Sequence, residues 1–445
     1  MKRFTDFHLK AWKNDALRLP LIIRGARQVG KTYSVREFGK NFSSFVEINF
    51  ELLPQAGEVF ARDLVPSRII RDLSLVVGKT IEPGKTLLFF DEVQHAPRSI
   101  ASLRYFHEMM PELHVIAAGS LIEFVLDAIG VPVGRIANLY MYPCSFLEFL
   151  AACGHRMLIE AILSADNDHP LSEPVHEKLI ALIGEYMAVG GMPGVVDLWA
   201  RTQDIRECGK ILGAIAEAYR QDFQKYATKY ERKYVDLLFD AIPAHLGHKI
   251  KFSVLQPSLR KKELESALDL LAKAGIVHKV LHTAAHGVPL GASVDPDKFK
   301  AVFLDCALAQ VVLGIDLGSW ILQPRPTIIN KGEIVESFVG QELLALQSPH
   351  SKKQLYYWHR EARSSNAEVD YVMQKDRNIV PIEVKSGKEG RLKSMRLFLE
   401  EHKNSLYGLR FSPDNFSHYD SIDTVPLYAI AGAIGADREV LVSIM

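Results

Sequence analysis

The segment of residues 25–32 constrains the fold of this chain more than any other. It has the spacing G-x-x-x-x-G-K-T, it follows the apolar run of residues 20–23, and a stretch with helical character comes after it. A loop of this kind between a strand and a helix turns its backbone N–H groups toward a phosphate, and the positive end of the helix dipole adds to the attraction. The segment therefore predicts a strand–loop–helix unit that binds a nucleoside triphosphate.

Individual residues of this loop have expected roles. The Lys31 ammonium would reach the β- and γ-phosphates, and the Thr32 hydroxyl would hold Mg²⁺. ATP and Mg²⁺ are thus the expected cofactors. The residues expected to line the nucleotide site are Gly25, Ala26, Arg27, Gln28, Val29, Gly30, Lys31, Thr32 and Tyr33.

A pair of acids completes the expected nucleotide site. The apolar run of residues 86–90 ends in Asp91 and Glu92. Asp91 would hold Mg²⁺ through water, and Glu92 would take a proton from the attacking water, which favours hydrolysis over a simple switch. A third apolar run is followed by Gly119 and Ser120, and Ser120 could sense the γ-phosphate or orient that water. The alternative, a chance match plus a buried strand capped by acids, is disfavoured because both motifs occur in order.

Composition excludes several classes of protein. The 445 residues include 53 Lys and Arg and 53 Asp and Glu, so the formal net charge is zero. That balance argues against a strongly basic nucleic-acid binder, although a local basic patch is compatible with it. The four cysteines fit neither a zinc ribbon nor a disulfide framework. The late uncharged run of residues 424–436 is shorter than the roughly 20 residues of a membrane span, and the N-terminus lacks the apolar core of a signal peptide. We expect a reduced, cytoplasmic protein with no membrane contact.

The order of the elements predicts an α/β fold with several regions. In residues 1–150, candidate strands at 19–24, 45–50, 86–90, 114–118 and 138–142 alternate with helical stretches, which predicts a parallel sheet with crossover helices. Residues 151–245 have mostly helical patterns. In residues 246–325 a leucine-rich helix ending near Gly275 precedes candidate strands at 276–281 and 301–304, an order that suggests a winged helix. Residues 326–445 return to mixed α/β.

Several motifs together resemble one known family. The chain is similar to bacterial and archaeal P-loop ATPases of the AAA+ superfamily that carry an uncharacterised C-terminal domain. The resemblance implies ATP binding and hydrolysis, and it covers nearly the whole chain. The Gly-Gly-Met-Pro stretch matches the family without suggesting any chemistry. The matching stretches are residues 25–32, Phe90-Asp91-Glu92-Val93-Gln94, Gly119-Ser120, Gly134-Arg135, Pro143-Cys144-Ser145-Phe146, Gly190-Gly191-Met192-Pro193 and Ile382-Glu383-Val384-Lys385.

Arg135 has two possible roles. In AAA-like ATPases an arginine near this position often completes the site of a neighbouring subunit, where it stabilises charge in the transition state. Such a role would require a homo-oligomer. The alternative is an arginine paired with a carboxylate of its own domain.

A second group of charged residues lies in the segment 368–385, where two alternating runs flank a turn. A hairpin centred on that turn would place Asp370 opposite Glu383. It would also place Glu368 opposite Lys385, with these four side chains on one face and apolar side chains on the other. Opposed like charges are destabilising, so the two acids call for a cation. Lys385 could supply part of that positive charge, and a divalent metal could supply the rest.

The order Asp370, then Glu383-x-Lys385, resembles the PD-(D/E)xK nuclease fold. That resemblance implies that the two acids hold a second Mg²⁺ or Mn²⁺ and that Lys385 positions or activates a water for phosphodiester attack. It also implies a further metal-binding glutamate from the preceding helix. The helix predicted at residues 332–346 offers Glu336 and Glu342, and Glu336 is favoured because it matches the family's Glu-x-Phe-Val. The alternative is a solvated sheet face, in a fold that includes many members without cleavage activity.

Two basic stretches could contact the phosphates of DNA or RNA. Either could instead be a solvated helix face. The first consists of Lys385, Lys388, Arg391, Lys393 and Arg396, and the second of Arg260, Lys261 and Lys262.

Two hypotheses follow for the whole chain. In the first, ATP hydrolysis moves the helical and winged-helix regions against a nuclease-like C-terminal region that acts on nucleic acid. In the second, the chain is a nucleotide-dependent regulatory switch that binds a protein partner, and its C-terminal fold is catalytically inactive.

Overall fold

The computed structural model describes residues 1–129, 134–227, 229–255, 260–362, 365–385 and 392–445. These residues form two compact units. The first contains residues 2–142 and 348–352, and the second contains residue 1, residues 143–347 and residues 353–445. Among the described helices, none combines the length and the apolar character needed to cross a membrane.

The first unit is a parallel α/β sheet with helices between its strands. Its strands are β1 (Leu21–Arg24), β2 (Ser44–Asn49), β3 (Thr86–Asp91), β4 (His114–Ala118) and β5 (Ala137–Tyr140). Its helices are α1 (Phe4–Asn14), α2 (Lys31–Gly39), α3 (Gln55–Glu58), α4 (Pro66–Val77), α5 (Pro97–Met109) and α6 (Ile122–Ile129). All five strands predicted from the sequence are therefore confirmed, with ends that differ by at most two residues.

The strand order β2-β3-β4-β1-β5 positions the site. Every neighbouring pair in this sheet is parallel. Strands β3 and β4 are buried along their whole length, as expected where helices cover both faces of a parallel sheet. Because β4 lies between β1 and β3, the loop after β1, the acids at the end of β3 and the residues after β4 meet at one edge of the sheet.

The second unit begins with helices, as predicted for residues 151–245. They are α7 (Phe146–Ala152), α8 (Arg156–Ser164), α9 (Glu173–Val189), α10 (Pro193–Thr202), α11 (Ile205–Tyr226) and α12 (Lys229–Ala241). Later helices are α13 (Phe252–Leu255), α14 (Lys261–Lys273), α15 (Cys306–Val312), α16 (Gly318–Leu322), α17 (Pro324–Asn330), α18 (Gly332–Ala345), α19 (Lys393–Glu401), α20 (Ile430–Ala433) and α21 (Arg438–Val442).

The strands of this unit form one eight-stranded mixed sheet of order β12-β13-β11-β10-β9-β8-β6-β7. They are β6 (Val277–Thr283), β7 (Val294–Phe303), β8 (Leu355–Ala362), β9 (Ser365–Lys375), β10 (Asn378–Val384), β11 (Gly408–Ser412), β12 (Ser417–Tyr419) and β13 (Ile422–Pro426).

The segment expected to be a winged helix is part of this sheet. Helix α14 ends at the left-handed Gly275, and β6 and β7 pair as antiparallel strands, so the predicted helix and strands are present. However, β6 also pairs with β8 in parallel. The two strands therefore form one edge of the C-terminal sheet and do not form a separate wing.

The β9–β10 hairpin has the predicted register. The ladder runs from Lys375 paired with Asn378 to Tyr371 paired with Ile382. The next pair in the same register is Asp370 with Glu383.

The expectation of a one-sided sheet is wrong. Trp358 of β8 pairs with Val369, and Tyr356 pairs with Val372, so two residue steps along β8 match three along β9. Strand β9 therefore contains one extra residue, and the alternation of its side chains between the two faces breaks there. Phe398 of α19 packs with Val369 and Val372 in one core cluster. The Tyr371 hydroxyl donates to the Glu336 carbonyl of α18 at 2.8 Å. Both faces of the hairpin are therefore covered by helices.

The Gly-Gly-Met-Pro stretch has a packing role. The Gly191 N–H donates to Asp305 Oδ2 at 2.6 Å, and its carbonyl accepts from the Cys144 N–H at 2.6 Å. A Cβ on Gly191 would lie 2.3 Å from the Cys144 carbonyl oxygen, and a Cβ on Gly190 would lie 2.3 Å from Asp305 Oδ1. Two glycines are needed here because backbone and carboxylate approach too closely for any side chain.

We predict that Gly191→Ala destabilises the second unit by about 1–3 kcal/mol or more, since the new methyl group has no space. Differential scanning calorimetry would detect a lower transition temperature. The matched control is Gly194→Ala in the first turn of α10, where no described heavy atom lies within 4 Å of an added Cβ. A change within about 1 kcal/mol is expected there. Equal effects of the two substitutions would contradict the steric explanation.

Candidate functional site

The loop after β1 has the backbone that a phosphate site requires. Gly30, which precedes α2, has a φ of 98° in the left-handed region. Gly25 has a φ of 141°, and a Cβ on it would lie 2.2 Å from the Met141 carbonyl oxygen. Only glycine fits both positions without strain. The loop thus passes directly from the end of β1 to the N-terminus of α2.

Lys31 folds back over this loop. Its Nζ donates to the carbonyl oxygens of Gly25 at 2.8 Å and Ala26 at 2.7 Å. Burial lowers the pKa of the Lys31 ammonium to about 8, although the carboxylates of Glu92 and Asp91 oppose that effect. The ammonium is therefore inside the loop, where a bound phosphate would compete for it.

Thr32 and Asp91 are in direct contact. The Thr32 hydroxyl lies 3.2 Å from both carboxylate oxygens of Asp91, and Asn49 Nδ2 donates to Asp91 Oδ2 at 3.1 Å. Burial, and then the nearby Glu92, raises the pKa of Asp91 to about 6. A hydroxyl and a buried carboxylate at one point form the oxygen pair that holds Mg²⁺ in P-loop proteins. These residues fit the expected metal.

Glu92 is held in an unusual backbone conformation. Its φ and ψ are 51° and 47°, a left-handed conformation that costs free energy in a residue other than glycine. Gln94 Nε2 donates to Glu92 Oε2 at 2.5 Å. A Cβ at Gly119 would lie 2.4 Å from Gln94 Oε1, so the glycine before Ser120 leaves space for this amide. The carboxylate of Glu92 is thus oriented by a neighbour.

Three contributing residues were not identified from the sequence. Asn49 ends β2 and pairs with Asp91 across the ladder, so its position beside the acid was a usable signal. Gln94 belongs to a motif that was recognised, but no role was assigned to it. Arg3 is buried and donates to the Val29 carbonyl at 3.1 Å and to the Tyr142 carbonyl at 2.8 Å. Because Arg3 is distant from the loop in the sequence, no local pattern indicated this contact.

Arg135 pairs within its own unit. Its Nε lies 2.9 Å from Glu108 Oε1, and the hydrogen bond from Arg135 is the main cause of the lowered pKa of Glu108. This contact corresponds to the alternative in which the arginine serves its own domain. Residues 130–133 of the preceding loop lie outside the described residues.

The acids of the C-terminal region do come together. Glu336 of α18, Glu368 and Asp370 of β9 and Glu383 of β10 form what we call the acid cluster. Asp370 Oδ2 accepts the Val384 N–H at 2.8 Å, and Lys385 Nζ lies 2.5 Å from Glu383 Oε1.

Glu342, the other glutamate considered on α18, has a different role. It is buried and accepts the Phe146 N–H at 2.9 Å, and burial raises its pKa to about 8. It therefore stabilises the N-terminus of α7.

An unanticipated lysine is in contact with the acid cluster. Lys300 Nζ lies 2.6 Å from Glu368 Oε1, 2.9 Å from Glu336 Oε1 and 3.5 Å from Asp370 Oδ1. Although burial opposes it, these carboxylates raise the pKa of Lys300 well above its ordinary value. The one signal in the sequence was a lysine within the apolar run Phe-Lys-Ala-Val-Phe at residues 299–303.

The expected second metal does not fit the acid cluster. The ammonium of Lys300 already contacts three of its four carboxylates. Among the described residues, no group of three or more His, Cys, Asp or Glu side chains is arranged to hold a metal ion. Burial raises the pKa of both Glu336 and Glu383.

The two basic stretches are only partly defined by the structure. Lys388 and Arg391 lie outside the described residues. The Arg396 guanidinium lies 5.7 Å from the centre of the Tyr419 ring. Lys261 pairs with Glu265 at 3.2 Å and Asp297 at 3.3 Å. These acids offset the positive charge that the second stretch would offer to a phosphate backbone.

Comparison with known families agrees with the geometry of the first unit. Residues 18–150 match the model described as an AAA domain. This region is therefore similar to AAA domains, and its parallel sheet has the fold of a P-loop NTPase. Residues 180–318 match a domain of unknown function (DUF8612), and residues 331–430 match another (DUF4143). These two matches assign no activity, so they do not support the nuclease-like resemblance. The comparison with curated proteins found no match.

Solved structures share part of the backbone. A Walker-type ATPase of Pyrococcus abyssi is 16% identical, with 70% of this chain and 94% of that chain covered and a TM-score of 0.44. The ORC1 protein of Aeropyrum pernix, solved in complex with DNA, is 11% identical, with 71% and 93% covered and a TM-score of 0.31. Because both TM-scores are this low, these similarities support no statement about ligands or partners.

We predict that Asp91→Asn stabilises the first unit above about pH 6, by an amount on the order of 1–3 kcal/mol. The folded-state pKa of about 6 is above the ordinary value of 3.8, so the charged form disfavours folding at neutral pH. The gain should shrink as the pH falls from about 6 to 4, where native Asp91 becomes protonated. Denaturant unfolding at several pH values measures it.

The control for this prediction is Asp63→Asn. A hydrogen bond from Arg68 is the main cause of the lowered pKa of Asp63, so its replacement should change stability in the opposite sense. A uniform gain of Asp91→Asn at all pH values would contradict the assignment.

Proposed function

We propose that this protein binds ATP with Mg²⁺ and hydrolyses it in the first unit. The observation that carries the proposal is the contact of Thr32 with Asp91 beside the loop closed by Lys31. A hydroxyl, a carboxylate and an ammonium then meet at the carboxyl edge of a parallel sheet, where P-loop proteins bind nucleotides.

Each side chain has a distinct task in this proposal. Lys31 exchanges its two carbonyl contacts for the β- and γ-phosphates, while the loop N–H groups and the N-terminus of α2 bind the remaining phosphate oxygens. Thr32 and Asp91 would hold Mg²⁺, which when bound neutralises charge on the phosphates. Glu92 accepts the proton of the attacking water, and Gln94 fixes the orientation of that carboxylate. Ser120, which follows β4, is proposed to orient the same water.

We predict that Lys31→Ala abolishes ATP binding, because the loop loses the cation that reaches the phosphates. Lys40→Ala is the control, since Lys40 directly follows α2 but is exposed and pairs with Glu37. Glu92→Gln should bind ATP normally but hydrolyse it about 10²–10⁴-fold more slowly. Calorimetry measures binding, and phosphate release measures turnover.

Two outcomes would contradict this assignment. One is ATP binding by Lys31→Ala that equals binding by Lys40→Ala. The other is normal turnover by Glu92→Gln, which would remove that acid from its role as a base.

Assembly into a homo-oligomer is not needed for the site as proposed. The six side chains that have a task in this proposal come from one chain, and the pairing of Arg135 with Glu108 in the same unit favours a structural role for that arginine. A role of Arg135 in a neighbouring subunit stays a hypothesis.

The second unit has two candidate roles. A nuclease-like role acting on DNA or RNA would need a divalent ion among Glu336, Asp370 and Glu383, with Lys385 beside the water. The contact of Lys300 with this cluster favours the other role, in which nucleotide binding switches a partner-binding protein whose C-terminal fold does not cleave. We propose this second role for the C-terminal region.

We predict that the full chain, with Mg²⁺ or Mn²⁺, cleaves labelled single-stranded DNA, duplex DNA and RNA no faster than Asp370→Ala or Lys385→Ala does. The reason is that the expected cation position is already in contact with an ammonium. Gel analysis of the products measures cleavage. Metal-dependent cleavage that both substitutions abolish would instead establish the nuclease role, and stimulation of ATP turnover by DNA or RNA would support action on nucleic acid.

A further inference from the structure

Lys300 is a charged side chain in a position that normally takes an apolar residue. It lies within β7, opposite Val280 of β6, and it is 1% exposed. Burying an ammonium without partners is very unfavourable. The side chain is therefore stable there only because of the groups that face it.

Those groups are three carboxylates from two elements. Glu336 comes from α18, while Glu368 and Asp370 come from β9 on either side of Val369. Their oxygens surround Nζ at 2.6 to 3.5 Å. An ammonium has three N–H donors and no acceptor, so one lysine can serve all three carboxylates. The ring of Tyr357 lies beside the ammonium, with its centre 5.5 Å away.

We propose that Lys300 is the resident cation of the acid cluster, and that its ammonium takes the position that a divalent ion would need. The C-terminal region is then a metal-free site in the native chain. Without Lys300, the same carboxylates would form a site for a small divalent cation such as Mn²⁺.

The two cations exclude each other. Mg²⁺ binds carboxylate oxygens at about 2.0–2.1 Å, and the oxygens of Glu336 and Glu368 that would serve it already contact Nζ. A metal ion bound to them would lie next to the positive charge of Lys300. The lysine cannot easily leave, because its backbone belongs to the ladder between β6 and β7 and its side chain is 2% exposed.

The fourth carboxylate supports the idea of a latent cation site. Glu383 is 5% exposed, and its Oε1 pairs with Lys385. Its Oε2 is buried without a hydrogen-bond partner among the residues that the structure describes. A buried carboxylate oxygen left unpaired is costly, and it is the kind of ligand that a metal ion in the cluster would use.

This inference concerns the second unit, and it does not depend on whether the first unit hydrolyses ATP. It rests on the proposed non-cleaving role only in predicting that the native cluster holds no divalent ion. A failure of either proposal can be recognised separately, because the experiment below measures metal binding without nucleotide.

The test measures Mn²⁺ binding to the full chain by calorimetry and by thermal unfolding. All variants carry Asp91→Asn, which removes the carboxylate proposed to hold Mg²⁺ in the nucleotide site. The parent, which carries only Asp91→Asn, should have no Mn²⁺ site that depends on Asp370. Adding Asp370→Asn to it should therefore leave Mn²⁺ binding unchanged. Adding Lys300→Met should create one site for Mn²⁺, lost again with Asp370→Asn, and Mn²⁺ should raise the unfolding temperature of this variant alone.

Two control variants match Lys300→Met. Lys298→Met removes a lysine two residues away on β7, at an exposed position where it lies near Asp295, and it should create no site. Lys300→Arg keeps the positive charge and should likewise bind no Mn²⁺.

Four results would decide the proposal. Mn²⁺ binding by the parent that depends on Asp370 overturns it, because metal and lysine would then coexist. A folded Lys300→Met variant that binds no Mn²⁺ also overturns it. If Lys300→Met folds only when Mn²⁺ is present, the proposal is supported. If Lys300→Met does not fold at all, the comparison of the parent with its Asp370→Asn derivative still decides. Mn²⁺ binding that depends on Asp370 contradicts the proposal, and the absence of such binding supports it.

Discussion

A carboxylate at the end or in the interior of a buried strand is stable only if donors or a cation face it, and this constraint shapes both units. In the first unit Asp91 accepts hydrogen bonds from Thr32 and Asn49, but burial still raises its pKa to about 6. In the second, Glu336, Glu368 and Asp370 face the ammonium of Lys300. The first arrangement leaves the carboxylate incompletely compensated and ready for a metal ion, whereas the second supplies the cation from the chain itself.

The nucleotide site contains strained backbone and close contacts. Gly25 and Gly30 have positive φ values, and Glu92 has the left-handed conformation without being glycine. Such a conformation persists only where the surroundings hold it. The short hydrogen bond from Gln94 to Glu92 is one such restraint, and it depends on the absence of a side chain at Gly119. The site is thus oriented before any ligand binds.

Around the Gly-Gly-Met-Pro stretch of the second unit, buried polar groups are joined by a connected set of hydrogen bonds. The Tyr186 hydroxyl donates to the Cys144 carbonyl and accepts from Gln341 Nε2, while Gln341 Oε1 accepts the Cys306 N–H. Asp305 joins the N-terminus of α15 to Gly191. A network in which every member is satisfied specifies one arrangement of its elements. The stretches that contain Cys144 and Gly191 therefore have a structural role, although they take part in no chemical step.

Local patterns in the sequence determined the five parallel strands, the phosphate loop with Lys31 and Thr32, the acids Asp91 and Glu92, and the register of the β9–β10 hairpin. Each of these follows from the order and spacing of neighbouring residues. Tertiary structure alone decided that β6 and β7 join the C-terminal sheet, that Glu342 caps α7, and that Lys300 meets acids found 36 to 70 residues later in the chain. Periodicity reports which face of an element is apolar, but the partner of a buried charge depends on how distant elements pack.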